Sequence, residues 1–315
     1  MNFIIVDANN VSNIGFYQAK GTMIREMTEK LKTIKIEGAS EKELEDIKIE
    51  LERNINKNLK SFSIQIFLNM IHKYFKENKG TFFFVWDGKR GSQWRKDANP
   101  DYKSNRDHST DIHYDIFIES MNEEKALLEK YPIIQFQDID AEADDLIYNI
   151  CDIFQEHSIK VISGDSDFIQ LPQKFKNTKV WNPRTKKYYI IPKYDYVTYK
   201  SIVGDSSDCV SGLYMFGPKK AEKALANNLV NLTDQQILKI NKNKIIIDLS
   251  LNPFIEKNKQ IVNQVLSSSK INLSLENIKK EFFRLKIKSF LFKWDNVVEI
   301  LKQLKKESKY GEEEC

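Results

Sequence analysis

Two carboxylates, Asp165 and Asp167, stand two residues apart in the stretch SGDSDF (163–168), directly after the apolar run IKVI (159–162). Like charges this close repel, and no Lys or Arg adjoins them in sequence, so the pair needs a positive partner from elsewhere. Asp7 and Asp87 share the setting, each closing an apolar run, NFIIV (2–6) and TFFFVW (81–86). Glu142, Asp144 and Asp145 crowd into AEADD (141–145). Asp205 and Asp208 follow in VGDSSDCVSG (203–212), one helical turn apart if that segment is helical.

Taken singly, each acid has a structural explanation. Acids at a helix start are commonly caps or dipole partners. Asp205 and Asp208 fit a turn after Gly204, and an Asp after a strand can simply open a loop. Together they are self-repelling unless divalent cations neutralise them. An oxygen-only donor set suits Mg²⁺ or Mn²⁺ and not zinc, which prefers Cys and His. Two such ions roughly 4 Å apart serve in-line displacement at phosphorus. Asp165 and Asp167 are then the natural branch point, one facing each metal.

The elements that must position these acids alternate. Apolar runs at 2–6, 81–86, 132–136 (PIIQF) and 160–163 (KVIS) read as strands, with KVWN (179–182) and KYYII (187–191) as a short hairpin. Between them, Leu59, Phe62, Ile66, Phe67, Met70, Ile71 and Tyr74 recur at helical spacing, and helices are expected at 112–130 and from 141 to 156. Ser40 is a plausible N-cap within the charged segment 23–60, and the chain beyond Tyr194 reads mainly helical. Alternation of this kind implies an α/β fold with a mostly parallel central sheet flanked by helices. In open parallel sheets the ligand crevice lies at the carboxyl ends of the strands, where Asp7, Asp87 and Asp165 fall.

A basic partner follows Asp87. GKRGSQWRKDANPDYKSNR (88–106) carries Lys89, Arg90, Arg95, Lys96, Lys103 and Arg106, with Trp94 and Tyr102 interleaved. Cations for phosphates mixed with aromatics for bases suit a single-strand surface; a solvated loop with inward aromatics is the plainer reading. VSGLYMFGPKKAEKAL (210–225) supplies a second basic element. There Gly212, Gly217, Lys219, Lys220 and Lys223 surround a turn with Pro218 at a helix start, as in a phosphate-gripping hairpin or a plain helix-turn-helix.

Composition sets the bounds. The 315 residues are 41% apolar and 30% charged with a net charge of +4, ordinary for a globular protein and only a weak pointer to nucleic acid. No run approaches the length of a membrane span, and the opening MNFIIVDANN lacks a cationic lead, so no signal peptide is expected. Three cysteines (Cys151, Cys209, Cys315) form no metal-like spacing and favour a reducing compartment. A cytoplasmic location, that of a host if the source is viral, is the expectation.

In family order, VDANN, VWDG with YKSNR, EADD, GDSDF and GDSSDCVSGLYMFGPKKA resemble the 5′-nuclease superfamily of flap endonucleases and 5′→3′ exonucleases, especially the stand-alone phage and phage RNase H types. The resemblance implies a nuclease core over 1–193, with an arch at about 89–123, and a helix-hairpin-helix-type duplex-binding region over 194–240. Beyond the motifs, residues 241–315 read as a helical C-terminal region that packs on the core and ends in a flexible acidic tail. The resemblance also implies a first metal held by Asp7, Asp87, Glu142, Asp144 and Asp165, with Asp145 less regular. A second would lie on Asp167, Asp205 and Asp208, partly through waters. Lys103 and Arg106 would contact the scissile phosphate, and Tyr102 would stack on a nucleobase. The implied substrate is branched or nicked duplex DNA with a 5′ single strand, or an RNA·DNA hybrid. Replication proteins such as a sliding clamp or a single-strand binding protein are candidate partners of a monomer. The family hairpin reads like PGVPGIGPKTA. Here Ser211, Tyr214 and Met215 replace two prolines and a glycine, which weighs against the family's monovalent cation more than against its duplex grip. A PIN-type ribonuclease shares the acidic rim but lacks the hairpin and the YKSNR foot. A catalytically inactive DNA-structure binder would be expected to lose second-site ligands, and Asp167, Asp205 and Asp208 are all present.

Overall fold

The computed structural model describes residues 1–106 and 111–308. Its strands are β1 (Asn2–Asp7), β2 (Thr81–Val85), β3 (Ile134–Phe136), β4 (Ser158–Ile162), β5 (Thr178–Asn182), β6 (Lys187–Tyr188), β7 (Gly204–Asp205) and β8 (Val210–Ser211). Helices up to residue 174 are α1 (Ala8–Ile36), α2 (Glu41–Glu77), α3 (Gln93–Ala98), α4 (Tyr114–Leu128), α5 (Ala143–Ile153) and α6 (Gln170–Lys174). Those beyond are α7 (Tyr196–Val203), α8 (Pro218–Ala226), α9 (Asp234–Ile247), α10 (Ile255–Ser268), α11 (Leu275–Arg284), α12 (Lys288–Phe292) and α13 (Trp294–Glu307). They form two compact units, each gathered from distant stretches of chain. Described residues 1–8, 82–106 and 134–269 make one unit, and 9–81, 111–133 and 270–308 the other.

The first unit holds the sheet, ordered β3-β2-β1-β4-β5-β6, with β1–β4, β2–β3 and β4–β5 parallel and β6 antiparallel at the edge. Strands of a parallel sheet are covered on both faces, which is why β1 and β2 are near-continuous apolar runs. Phe3 stacks on Phe83 with ring centroids 5.3 Å apart and meets Phe154 at 4.2 Å. Strand order reverses between β1 and β4, whose Val6 and Ile162 are in register. A doubly wound sheet opens its ligand crevice at such a point. The expected α/β sheet is therefore present. Its strand ends place Asp7, Asp87 and Asp165 on neighbouring strands or the loops just past them.

The second unit is helical. Phe16, Ala19, Ile55, Leu59, Ile66 and Phe117 form its core, and Ser63 and Ser120 share a hydrogen bond of 3.0 Å within it. Ser40 does cap α2: its Oγ accepts from Glu43 N at 3.3 Å, and the Glu43 carboxylate accepts from Ser40 N at 2.8 Å. No residue between Ala19 and Ile55 is buried, so the charged segment 23–60 is largely solvated. It holds nine acidic and nine basic residues and offers no net positive field to a polyanion. Of the C-terminal aromatics, Phe282 and Phe290 are core while Phe283 and Phe292 are exposed. The acidic tail and part of the expected arch, residues 107–110, lie outside the described residues.

Candidate active site

Every acid singled out in the sequence lies in the sheet-bearing unit. Asp7 ends β1 and accepts a hydrogen bond from Ser163 Oγ at 2.7 Å. The same hydroxyl accepts from the Asp165 amide at 3.0 Å, and the Asp165 carboxylate accepts from the Asp167 amide at 2.8 Å. One serine thus couples the carboxyl ends of β1 and β4. Asp87 accepts from the Ala143 amide at 2.7 Å, which fixes it against the start of α5. That approach needs glycine. A Cβ on Gly88 would stand 1.8 Å from the Asp138 carbonyl oxygen, and one on Gly91 would stand 2.5 Å from that of Ala141. The loop after β2 therefore lies flat against the loop before α5 and brings Asp87 to Glu142 and Asp144.

Four cations thread this acidic rim. Arg95 is 1% exposed and forks onto Glu142 at 2.5 Å and Asp145 at 2.7 Å, with its Nε donating to the Ile246 carbonyl at 3.2 Å. Lys103 donates to the other Glu142 oxygen at 2.5 Å, and Arg106 pairs with Asp208 at 2.8 Å. Lys200, on α7, bonds both Asp167 and Asp205. Lys103 sits in the left-handed region (φ 55°), as does Cys209 (φ 56°) beside Asp208. The Lys103 amide donates to the Asp208 carbonyl at 3.1 Å, so this unfavourable backbone is held by the site itself.

Several expectations need correction. Arg95 was expected at a nucleic-acid surface, but its guanidinium is buried and spent on two carboxylates, with Trp94 against it at 4.3 Å. Asp145, expected near a metal, is the other half of that pair and also caps the Glu142 amide at 3.3 Å. Tyr102 is buried among Val197, Val210, Ile246 and Ile247 and donates to Glu142 at 3.2 Å, so its ring presents no face to a base. Asp205 and Asp208 are not a helical turn apart. Gly204 (φ 83°) ends α7, and β7 pairs with β8 as a hairpin whose loop carries Asp208. Gly212 is structural, since its Cβ would stand 2.3 Å from the Val203 carbonyl oxygen. By contrast Gly217 has open space where a Cβ would be, and Lys219 and Lys220 are exposed, Lys220 resting 4.0 Å over the Phe216 ring. Lys89 and Lys96 are exposed as expected, and Arg90 is exposed but paired with Asp140 at 2.7 Å.

The electrostatics follow from this geometry. Burial, then the neighbouring Asp165, pushes the Asp167 carboxyl up to about 7 and Asp144 well above the usual carboxylate range. Burial would raise Glu142 as well, but Lys103 and Arg95 outweigh it and hold the carboxyl below its ordinary value. Lys200 does the same for Asp205. Asp208 stays raised, burial exceeding the pull of Lys103 and Arg106. One carboxylate oxygen each of Asp167, Asp205 and Asp208 lie within 4.8 Å of one another. Three hard oxygen donors in that space fit a divalent cation of the Mg²⁺ or Mn²⁺ class.

Sequence reasoning missed Lys200 and Ser163. Lys200 reads as the one charged position in the helix YVTYKSIV, and its five-residue offset from Asp205 is the available signal. Ser163 was visible only as the small residue closing β4.

The chain matches the sequence model of the 5′-3′ exonuclease, N-terminal resolvase-like domain, over residues 2–201. It is 30% identical over 186 residues to the flap endonuclease Xni of Shewanella frigidimarina, covering 53% of this chain and 70% of that protein. With the 5′-3′ exonuclease of Mycoplasmopsis pulmonis it shares 27% identity over 249 residues, or 69% of this chain and 80% of that one. A DNA polymerase I from Caldicellulosiruptor bescii is 30% identical over 191 residues, and there the match spans only 22% of the relative. Among solved structures, T5 5′-exonuclease with bound zinc ions superposes with a TM-score of 0.56 at 16% identity, covering 84% of this chain and 97% of that one. The bacteriophage T5 flap endonuclease in a pseudo-enzyme–product complex with DNA and metal ions gives 0.57 at 16% identity, covering 84% and 99%. These two establish likeness of fold. With a family match spanning almost two-thirds of the sequence and the acids of the motifs gathered on one rim, the chain belongs to the 5′-3′ exonuclease family of the 5′-nuclease superfamily.

Proposed function

We propose that the chain is a divalent-metal-dependent 5′ nuclease that hydrolyses phosphodiesters at the junction of duplex DNA and a 5′ single strand, as in flap cutting and primer removal. The observation that carries this is the trio Asp167, Asp205 and Asp208 beside a separate acidic group, with Lys103 and Arg106 between them. Asp167, Asp205 and Asp208 would hold one Mg²⁺. Asp7, Asp87, Glu142, Asp144 and Asp165 would hold or orient a second. Such ions would supply activation of the attacking water and stabilisation of the leaving oxygen for in-line displacement.

The protein's own share is positional. Lys103 and Arg106 now rest on Glu142 and Asp208, each a reversible ion pair that a phosphate can replace. Their charges then neutralise the scissile phosphate as it gains negative charge in the transition state. Lys200 neutralises Asp167 and Asp205 while they carry no metal, and would have to give way for them to ligate. Ser163 keeps Asp7 and Asp165 in a fixed relation. Beyond the site, Gly217 leaves the first turn of α8 open to a backbone phosphate, with Lys219, Lys220 and Lys223 at hand to grip the duplex.

The test is cleavage of 5′-labelled flap DNA with Mg²⁺ and with EDTA, alongside Asp165→Asn. Metal-dependent release of the flap that the variant loses supports the reading. Tight binding with no cleavage in Mg²⁺ or Mn²⁺ would make the chain an inactive DNA-structure binder instead.

A further inference from the structure

The hairpin that leads into α8 exposes two large apolar side chains where a soluble protein gains nothing by doing so. Tyr214 is 88% and Met215 74% exposed, whereas their neighbours on either side are anchored. Leu213 is buried with Ile202, Ala221 and Ile240, and Phe216 packs against the same cluster. The Phe216 amide donates to the Leu213 carbonyl at 3.1 Å and closes a four-residue turn around the pair. Met215 holds φ 57° at the third position of that turn, where glycine is the favoured residue. The base is braced too: the Leu213 amide donates to Ile202 at 2.7 Å, and Asn243 Nδ2 donates to the Ser201 and Ser211 carbonyls, both at 2.9 Å. A rigid, strained turn therefore holds an aromatic ring and a thioether out in water.

The chemistry around the tip indicates what covers it. Lys219, Lys220 and Lys223 follow within three turns of chain, all exposed, and the Gly217 position is open. Cations spaced behind a narrow apolar tip match a duplex, with phosphates on the ridge and a groove beside it. The minor groove, about 6 Å wide, admits a ring edge or a methionine but not a helix. Resting on the nuclease reading above, we propose that Tyr214 and Met215 enter the minor groove of the bound duplex as a wedge, and that the α8 lysines seat the flanking phosphates.

The experiment uses the full chain in Ca²⁺, to hold substrate uncut, and a fluorescent AT-rich nicked duplex read by anisotropy. The double variant Tyr214→Ala, Met215→Gly relieves the backbone and should fold at least as well as the parent. The expected result is duplex affinity weakened roughly tenfold with affinity for single-stranded oligonucleotide unchanged. Netropsin, a minor-groove ligand, should compete strongly with the parent and weakly with the variant. Equal duplex affinities, or no competition by netropsin, overturn the wedge and leave the tip free for a protein contact. If the parent cuts flap DNA while the variant binds duplex equally well, only the wedge fails. If the parent neither binds nor cuts duplex substrates, the nuclease reading fails and takes the wedge with it.

Discussion

The ammonium of Lys200 is bonded to the carboxylate of Asp167, thirty-three residues earlier in the chain, and the same ammonium bridges to Asp205. A lysine thus stands where two expected metal ligands converge. Its charge is well stabilised, since Asp167 and Asp205 together outweigh the burial that would otherwise lower its pKa.

Removing that charge should act in opposite directions on stability and on metal binding. Lys200→Met leaves two poorly solvated carboxylates facing each other, so the metal-free protein should lose on the order of 3 kcal/mol in urea unfolding. Those carboxylates are then free to ligate, so Mn²⁺ affinity by calorimetry should rise, roughly tenfold. Unchanged stability together with unchanged Mn²⁺ affinity would show that the bridge does not form.

Arg95 makes a different prediction, one that separates structure from substrate binding. Arg95→Ala strands Glu142 and Asp145 in a buried setting and should cost about 3–5 kcal/mol. Arg95→Lys keeps the charge but loses the two-armed fork and should fall between. Adding Asp145→Asn to Arg95→Ala should recover part of the loss, as a double-mutant cycle would show. Full stability with weakened DNA binding would instead return Arg95 to the nucleic-acid surface.

What the sequence could and could not show follows one physical division. The strands were legible because two-sided burial makes β1 and β2 unbroken apolar runs, and an acid at the end of such a run is locally visible. The cations were not, because their partners are remote. Arg95 sits in WRKD and looks solvated, yet its partners lie 47 and 50 residues on. The spacing of Asp205 and Asp208 fits either a helical turn or a turn after Gly204, and the positive-φ Gly204 and Cys209 that make it a hairpin leave no periodic trace. Tyr102 has basic neighbours in sequence, and the apolar wall from α9 that buries it lies over 140 residues away.

The acidic rim should make metal-free stability fall as pH rises. Asp167 has a folded pKa raised to about 7 and Asp144 is raised too, so between pH 4 and 7 the folded state binds more protons than the unfolded chain. Stability is then greatest below the unfolded value near 4 and declines up to about 7, by a few kcal/mol if Asp167 alone is counted. The depressed Glu142 and Asp205 contribute the opposite slope, but only below pH 4.5. In EDTA the melting temperature should drop from pH 5 to 8, and saturating Mg²⁺ should flatten that drop. Asp167→Asn should remove part of it without metal. A melting temperature in EDTA that climbs over this range would contradict the arrangement.

Glu124, which is not among the expected metal ligands, supplies a control. In α4 of the helical unit it is 1% exposed, and among the described residues neither carboxylate oxygen has a hydrogen-bond partner. Burial pushes its carboxyl up to about 8, outweighing the opposite pull of the Ser12 hydroxyl, which lies near it without hydrogen-bond geometry. A buried carboxylate without a partner is costly, so the group stays protonated through neutral pH and ionises only at the expense of the fold. The sign matches the acidic rim: stability is complete below pH 4.5 and lost as pH rises toward 8. Glu124→Gln keeps the shape and removes the ionisation. It should match the parent at pH 5 and exceed it at pH 8 by on the order of 2–4 kcal/mol in urea unfolding. Mg²⁺ should leave that difference unchanged, which distinguishes it from Asp167→Asn, whose advantage should vanish once metal is bound. Equal stabilities of parent and Glu124→Gln at pH 8 would mean that the carboxylate finds a partner the structure does not give it.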